Sequence, residues 1–553
     1  MIVEVLSMIP NLYLPIGVDD FKTVKKDCYY VDKTLFLEDI INSPESATFL
    51  FTRPRRFGKS LMLSLCKYFF DINEDSLTLF KDTNIINKDH RYAEYINKYN
   101  VIHLNLKGIN GRSYADYIEL LKFKISDIYS DLINPENDFE NNVINRKCTN
   151  NELKESLYYL TKKLYKKNNV KTIILIDEYD TPLETAYVNG YFDDARDLMK
   201  DFLGNAIKSN PYLYKAIVTG ITQVSHSSIF SDLNNLMVNN ILSNKDEFFG
   251  FTDDEVEKLL RYSNFNGDYN EVKRWYGGYF FQNKEVYNPW SILNFISNIF
   301  VYKAYWTNTG SYKLLHETVK LLSGDVNSDL VSLTNGENVN TTINENISYD
   351  FVDNNINLYS LLAFSGYLSI HPNFPSNYYT VRIVNEEIKI AFNKEIMETL
   401  VNKDNFMILK KIKESLISFN TKEFVSNLAF YIQNRLSYLD LNSEKAYQIM
   451  IVTLGSVLMD DALVSSEIEE GQGRCDIVIR SISNNDYSII LELKYLKNRP
   501  SISDLEKSAS KALNQIKEHK YYSDALRINS KRILLIGLSF SHKNSAFKDE
   551  VYR

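Results

Sequence analysis

Between Ala47 and Phe70 the chain reads ATFLFTRPRRFGKSLMLSLCKYFF. A short β-prone run, Ala47 to Thr52, enters a basic loop, Arg53-Pro54-Arg55-Arg56-Phe57. It leaves through Gly58-Lys59-Ser60 into an almost wholly apolar helical stretch. Strand, loop and helix in that order aim backbone N–H groups and a positive helix end at one point. Gly-Lys-Ser adds an ammonium for β- and γ-phosphates and a hydroxyl for Mg²⁺. The stretch reads as a P-loop whose candidate nucleotide contacts are Arg55, Arg56, Phe57, Gly58, Lys59 and Ser60. It departs from G-x-x-x-x-G-K-[ST] at Arg53, and Pro54 removes one donor. A basic turn ahead of a core helix is the alternative reading.

Downstream, Val101 to Leu106 alternates as a strand and Tyr114 to Ile133 has helical apolar spacing. Asn134 to Asn151 is polar and turn-rich, the composition of a surface loop. Thr172 to Ile176 is an apolar run ending in Asp177-Glu178-Tyr179-Asp180, and Tyr214 to Val218 ends in Thr219-Gly220. Apolar strands separated by helices predict an open parallel sheet with ligands at the carboxyl ends of its strands. Asp177 is placed there to share a Mg²⁺ with the Ser60 hydroxyl, Glu178 to act as general base on water, and Thr219 to sense the γ-phosphate. An ordinary strand end is the alternative for Asp177-Glu178, as a plain turn is for Thr219-Gly220.

A chain of 553 residues exceeds one core, so several domains are expected. The boundaries read as 1–245 for the P-loop domain, 246–323 for a helical module carrying Trp275 to Tyr279 and Asn288-Pro289-Trp290, 324–440 for a polar linker and helical region, and 441–553 for a last mixed domain. The net charge of −8 argues against a generally basic coat for nucleic acid. Cys28, Cys66, Cys148 and Cys475 lack C-x-x-C spacing, which disfavours a zinc site or a disulfide framework. The first ten residues lack a basic n-region, and no apolar run of about 18 residues spans a bilayer, so a cytoplasmic protein with no membrane partner is expected.

The last domain carries Gly473-Arg474-Cys475-Asp476-Ile477-Val478-Ile479, a polar turn, and Tyr487-Ser488-Ile489-Ile490-Leu491-Glu492-Leu493-Lys494-Tyr495. Two strands joined by a short turn form a hairpin. Alternation puts Glu492 and Lys494 on one face and Leu491 and Leu493 on the other, with Asp476 able to meet the former. A carboxylate in an apolar strand is costly unless paired or bound to metal. Asp476 and Glu492 supply hard oxygen ligands for Mg²⁺, and Lys494 beside them can orient or deprotonate water, the arrangement of metal-assisted phosphodiester hydrolysis. An exposed Glu492–Lys494 pair is the plainer alternative. Lys494 to Arg532 holds ten Lys and Arg against four Asp and Glu, a local surface suited to a phosphate backbone.

These residues resemble a family of microbial proteins that join an AAA-ATPase-like P-loop domain to a C-terminal PD-(D/E)XK nuclease-like domain. The resemblance runs through Leu14-Pro15-Ile16-Gly17, Tyr30-Val31-Asp32-Lys33-Thr34, Arg53 to Ser60, Ile176 to Asp180, Asn288-Pro289-Trp290-Ser291, Gly473 to Asp476 and Glu492-Leu493-Lys494. It implies an α/β chain: a P-loop NTPase parallel sheet, a helical middle module and a C-terminal restriction-endonuclease-like domain. It also implies ATP and Mg²⁺ as cofactors, DNA or RNA as partner, and Asp476, Glu492 and Lys494 as a metal-dependent site. Glu444 and Gln515 are further members of that site by resemblance. Where relatives often carry Arg and Lys after Thr219-Gly220, this chain has Ile221-Thr222-Gln223-Val224-Ser225-His226-Ser227-Ser228, which favours nucleotide binding with slow hydrolysis. A non-catalytic, nucleotide-gated module that binds nucleic acid or protein is the alternative function.

Overall fold

The computed structural model describes residues 13–223, 229–230, 235–243, 248–281, 284–306, 329–330, 332–333, 336–345, 355–373, 378–392, 403–435, 447–448, 451, 462–470, 473–481, 486–497, 500–541 and 544–553. The chain divides into two compact units, Met1–Leu322 with Asn338–Ile388, and Ser323–Glu337 with Lys389–Arg553.

The first unit is built on five parallel strands: β1 (Thr48–Thr52), β2 (Asn100–Asn105), β3 (Thr172–Asp177), β4 (Leu213–Gly220) and β5 (Leu236–Asn239), in the order β2-β3-β4-β1-β5. Every residue of β1, β3 and β4 is buried, which accounts for their predominantly apolar composition. The strand order sets β4 between the loop-bearing β1 and the acid-tipped β3. Thr219, at the tip of β4, is therefore the neighbour of Asp177 at the tip of β3.

Two local expectations are corrected. The segment 134–151 contains a helix, Asp138–Ile144, because Asn137 accepts the Glu140 N–H as an N-cap. Val143 packs inward and the buried Glu140 pairs with Lys163 at 3.1 Å, so a polar composition conceals a capped helix. The middle region is not only helical. It contains a small antiparallel sheet of β6 (Phe251–Thr252), β7 (Tyr279–Phe281) and β8 (Lys284–Tyr287), and a second of β9 (Val339–Thr341), β10 (Leu368–Pro372) and β11 (Tyr379–Ile383). Such short aromatic strands carry no period long enough to separate them from helix. Thr252 caps the helix Asp253–Tyr262, in a reciprocal box with Glu255.

The second unit holds a five-stranded mixed sheet: β12 (Ala462–Glu470), β13 (Gly473–Ser481), β14 (Tyr487–Tyr495), β15 (Arg532–Ser541) and β16 (Asn544–Val551), paired in that order. β13 and β14 form the expected antiparallel hairpin, whereas β14 and β15 are parallel and joined through the helix Ile502–Glu518. Alternation along β14 sorts its residues between two cores. Ile489, Leu491 and Leu493 pack with Ile477, Ile479 and Leu534, while Ile490 packs with Leu513 and Ile516 of the helix. A Cβ at Gly537 would land on the Ala509 carbonyl and the Leu513 N–H, so glycine there sets how closely helix and sheet approach.

Candidate functional sites

The loop Arg53 to Gly58 joins β1 to the helix Lys59–Phe70. Two of its residues are left-handed: Gly58 at φ +84° and Arg56 at φ +69°. Arg53, at the place of the missing first glycine, has a negative φ and turns its side chain into the core. Its Nη1 donates to the carbonyls of Thr52 and Asn239, both at 2.8 Å, and its guanidinium lies over Phe249 and Phe281. Phe57 is likewise buried, against Tyr279 and Phe281, leaving only its backbone N–H for a ligand. Arg55 reaches Glu184 at 3.7 Å, and Arg56 stands over the Trp290 ring at 4.3 Å.

Ser60, Asp177 and Thr219, far apart in sequence, meet at the carboxyl ends of the strands. The Ser60 hydroxyl donates to Asp177 Oδ2 at 2.5 Å, and the Thr219 hydroxyl to Oδ1 at 2.5 Å. Oδ1 also accepts the Glu178 N–H at 3.0 Å. Glu178 sits at φ +53°, a conformation that costs a non-glycine residue on the order of 1 kcal/mol and concentrates at functional turns. Burial, reinforced by Asp177, raises its carboxyl above the ordinary range. Lys59 Nζ donates to the carbonyls of Arg53 and Pro54 at 2.9 and 3.0 Å. Burial lowers this ammonium to about 8, against the pull of Asp177, Asp180 and Glu178.

In the second unit the antiparallel ladder between β13 and β14 runs from Arg480 opposite Ser488 to Ile477 opposite Leu491, and stops. The next pair in that register is Asp476 and Glu492. Where the ladder ends, Asp476 Oδ2 replaces a main-chain acceptor and takes the Leu493 N–H at 2.7 Å. Glu492 is 2 % exposed. Its Oε1 accepts from Lys494 Nζ at 3.0 Å, and its Oε2 is buried with no hydrogen-bond partner among the described residues. Burial, and then Asp476, push the Glu492 carboxyl up to about 7.

Two family models match the chain: one described as a predicted AAA-ATPase, over residues 15–230, and one for the PD-(D/E)XK nuclease superfamily, over residues 442–550. The chain joins an AAA-ATPase-like domain to a PD-(D/E)XK domain. Among curated proteins, an uncharacterized protein in the vnfD 5′ region of Azotobacter chroococcum mcd 1 is 27 % identical over 301 residues, 54 % of either chain. The chain thus spans about half the length of that relative. Similar solved structures include the Aeropyrum pernix ORC2 protein in its ADPNP-ADP complexes, at 11 % identity and TM-score 0.31, covering 69 % of this chain and 98 % of that one. C. elegans PCH-2 matches at 12 % identity and TM-score 0.18, covering 66 % and 71 %.

In the AAA-ATPase-like domain the donor set suits Mg²⁺, a small hard cation that retains several waters and takes one or two protein oxygens. Ser60 and Asp177 are the residues that would hold it. In the PD-(D/E)XK domain the Glu492 Oε2, unpartnered among the described residues and opposite Asp476, is the observation that fits a cation. Among the described residues no group of three or more His, Cys, Asp or Glu has metal-holding geometry, so water would complete the shell around these two carboxylates. Of the two further residues suggested by resemblance, Gln515 donates its Nε2–H to the Tyr521 hydroxyl at 3.4 Å. Glu444 lies outside the described residues.

Three residues that sequence reasoning left without a role belong to these sites. Asp180 Oδ2 accepts from the Ile221 and Thr222 N–H groups at 2.8 and 2.9 Å, tying the end of β4 to the acidic turn after β3. Its place in Asp177-Glu178-Tyr179-Asp180 was the available signal. Asn288 donates Nδ2–H to the Arg55 carbonyl at 3.2 Å. Gln448 donates to the Asp476 carbonyl at 3.0 Å, and nothing in the local pattern marked it. The basic excess of 494–532 is partly spent inside the domain: Lys517 pairs with Glu550, Lys531 with Asp486 and Arg527 with Asp524. Among the described residues no helix is long and apolar enough to cross a membrane.

Proposed function

We propose that this chain is an ATP-binding protein and slow ATPase whose nucleotide state governs a Mg²⁺-dependent nuclease domain acting on nucleic-acid phosphodiesters. The observation that carries the reading is the Glu492 carboxylate: buried, short of one partner among the described residues and opposite Asp476, it is a placement that a purely structural strand has no reason to keep. In the nuclease domain Asp476 and Glu492 would hold the cation. A bound Mg²⁺ supplies charge neutralisation at the scissile phosphate and acidifies a coordinated water. Lys494, fixed on Glu492, keeps its ammonium beside that carboxylate, where it would orient a water on a bound cation, and the Leu493 N–H on Asp476 Oδ2 fixes the aspartate side chain at the end of the ladder.

In the nucleotide domain, the loop amides and Lys59 would bind the phosphates, Ser60 and Asp177 would hold the cation and Glu178 would accept a proton from water, while Thr219 orients Asp177. Residues 221–223 carry no cation to stabilise charge on the transferred phosphoryl group, which supports slow turnover. The test is a plasmid-cleavage assay with Mg²⁺ or Mn²⁺, with and without ATP, on the wild-type chain and Asp476→Ala. Metal-dependent cleavage lost in the variant is expected, with a rate that changes on adding ATP. Equal cleavage by both proteins would overturn the nuclease assignment.

A further inference from the structure

The nucleotide loop is gripped by a helix outside its own sheet. Asn288 is fully buried at the start of the helix Pro289–Ser297. Its Oδ1 accepts the Trp290 N–H at 3.0 Å, capping that helix, and its Nδ2–H goes to the Arg55 carbonyl at 3.2 Å. The peptide joining Arg55 and Arg56 is planar and trans, so fixing its carbonyl on Asn288 points the Arg56 N–H the opposite way. Arg56 itself is left-handed, a state a long side chain holds only where its surroundings impose it.

The Arg56 side chain is held by the indole. The Arg56 guanidinium lies 4.3 Å from the Trp290 ring centroid, and Trp290 is immobilised by donating Nε1–H to the Tyr305 carbonyl at 2.9 Å. Gly17 lies close against the same ring, where an added Cβ would come within 3.7 Å. The exposed Arg56 also feels the attraction of Glu178 across the site. Pro54 on the same loop packs on Gly366, and Phe57 fits under Gly250.

We propose that Asn288 and Trp290 are positioning residues of the nucleotide loop. Asn288 sets the peptide plane that presents the Arg56 amide, and Trp290 holds the Arg56 side chain on the Glu178 side of the site. The inference rests on reading Arg53 to Ser60 as a nucleotide loop and extends it, since it makes the middle module a determinant of nucleotide affinity.

The test uses the full-length chain, with MgATP binding measured by calorimetry and amide exchange of residues 55–58 followed without nucleotide. Asn288→Ala and Trp290→Ala should each weaken ATP binding by about tenfold and speed exchange in the loop. Trp290→Phe keeps a ring under the guanidinium and should stay within about threefold of wild type. Adding Arg56→Ala to Trp290→Ala should cost no more than either change alone. Unchanged affinity, unchanged loop exchange, or additive effects of Arg56→Ala and Trp290→Ala would each overturn the proposal. Arg56→Ala and Trp290→Phe keep the question answerable where an Asn288 variant fails to fold. A wild-type chain that binds no ATP, yet whose loop exchange quickens in Asn288→Ala, would sink the nucleotide reading and leave the clamp standing.

Discussion

The two acidic centres of this chain handle buried charge in opposite ways. Asp177 is saturated: both oxygens accept hydrogen bonds, from Ser60, Thr219 and the Glu178 N–H. Glu492 has one oxygen on Lys494 and the other on nothing among the described residues, with a second carboxylate opposite and its own carboxyl raised to about 7. A closed hydrogen-bond set is stable as it stands and must rearrange to admit a ligand. An open one is strained by its own charge and gains from a cation.

The contrast is broken most severely by removing a carboxylate from the open centre. Asp476→Ala or Glu492→Ala should reduce Mg²⁺-dependent cleavage of plasmid DNA by roughly a thousandfold. ATP affinity measured by calorimetry should not move. The converse change, Lys59→Ala, should weaken ATP binding on the order of a hundredfold through loss of the ammonium to the phosphates, with DNA cleavage in the absence of ATP intact. Wild-type ATP affinity should also fall as pH rises past about 8, where Lys59 gives up its proton.

A third experiment sharpens the difference through protons. The Glu492 carboxyl is raised by folding, so the native state binds its proton more tightly than the unfolded chain. Without metal, the stability of the second unit should therefore fall as pH rises from the ordinary glutamate range to about 7, and level off above it. The full effect is up to roughly 3 kcal/mol. Glu492→Gln should flatten that dependence, and Mg²⁺ at pH 8 should restore what wild type has lost. Amide exchange of β14 against pH reads both. The smallest effect belongs to the closed centre: Thr219→Val removes one of several donors to Asp177 and should slow ATP turnover about tenfold, with melting changed by about 1 kcal/mol.

Much of this arrangement was legible before any coordinates. The parallel strands announced themselves as buried apolar runs, and their polar tips gave Asp177 and Thr219 at the correct end. The hairpin and the facing of Glu492 followed from alternation of period two. What escaped were facts of register and packing. Nothing in the sequence says that the ladder breaks one pair before Asp476 and Glu492, that Gln448 reaches the Asp476 carbonyl, or that Gln515 turns to Tyr521. β5 and the short strands of the middle region lacked the length to declare a period. Asn288 and Trp290 stood out as a motif, but their purpose lies in a contact with residues more than two hundred positions earlier.

The inward turn of Arg53 has a consequence for how loops of this kind are recognised. A glycine is indispensable in such a turn only where the backbone must go left-handed or where a ligand would collide with a side chain, and position 53 meets neither condition. A guanidinium stapling two strand ends can occupy it and leave the mouth of the loop clear. Screens that demand glycine at that place will pass over chains like this one, whereas a rule written on the handedness of positions 56 and 58 would find them.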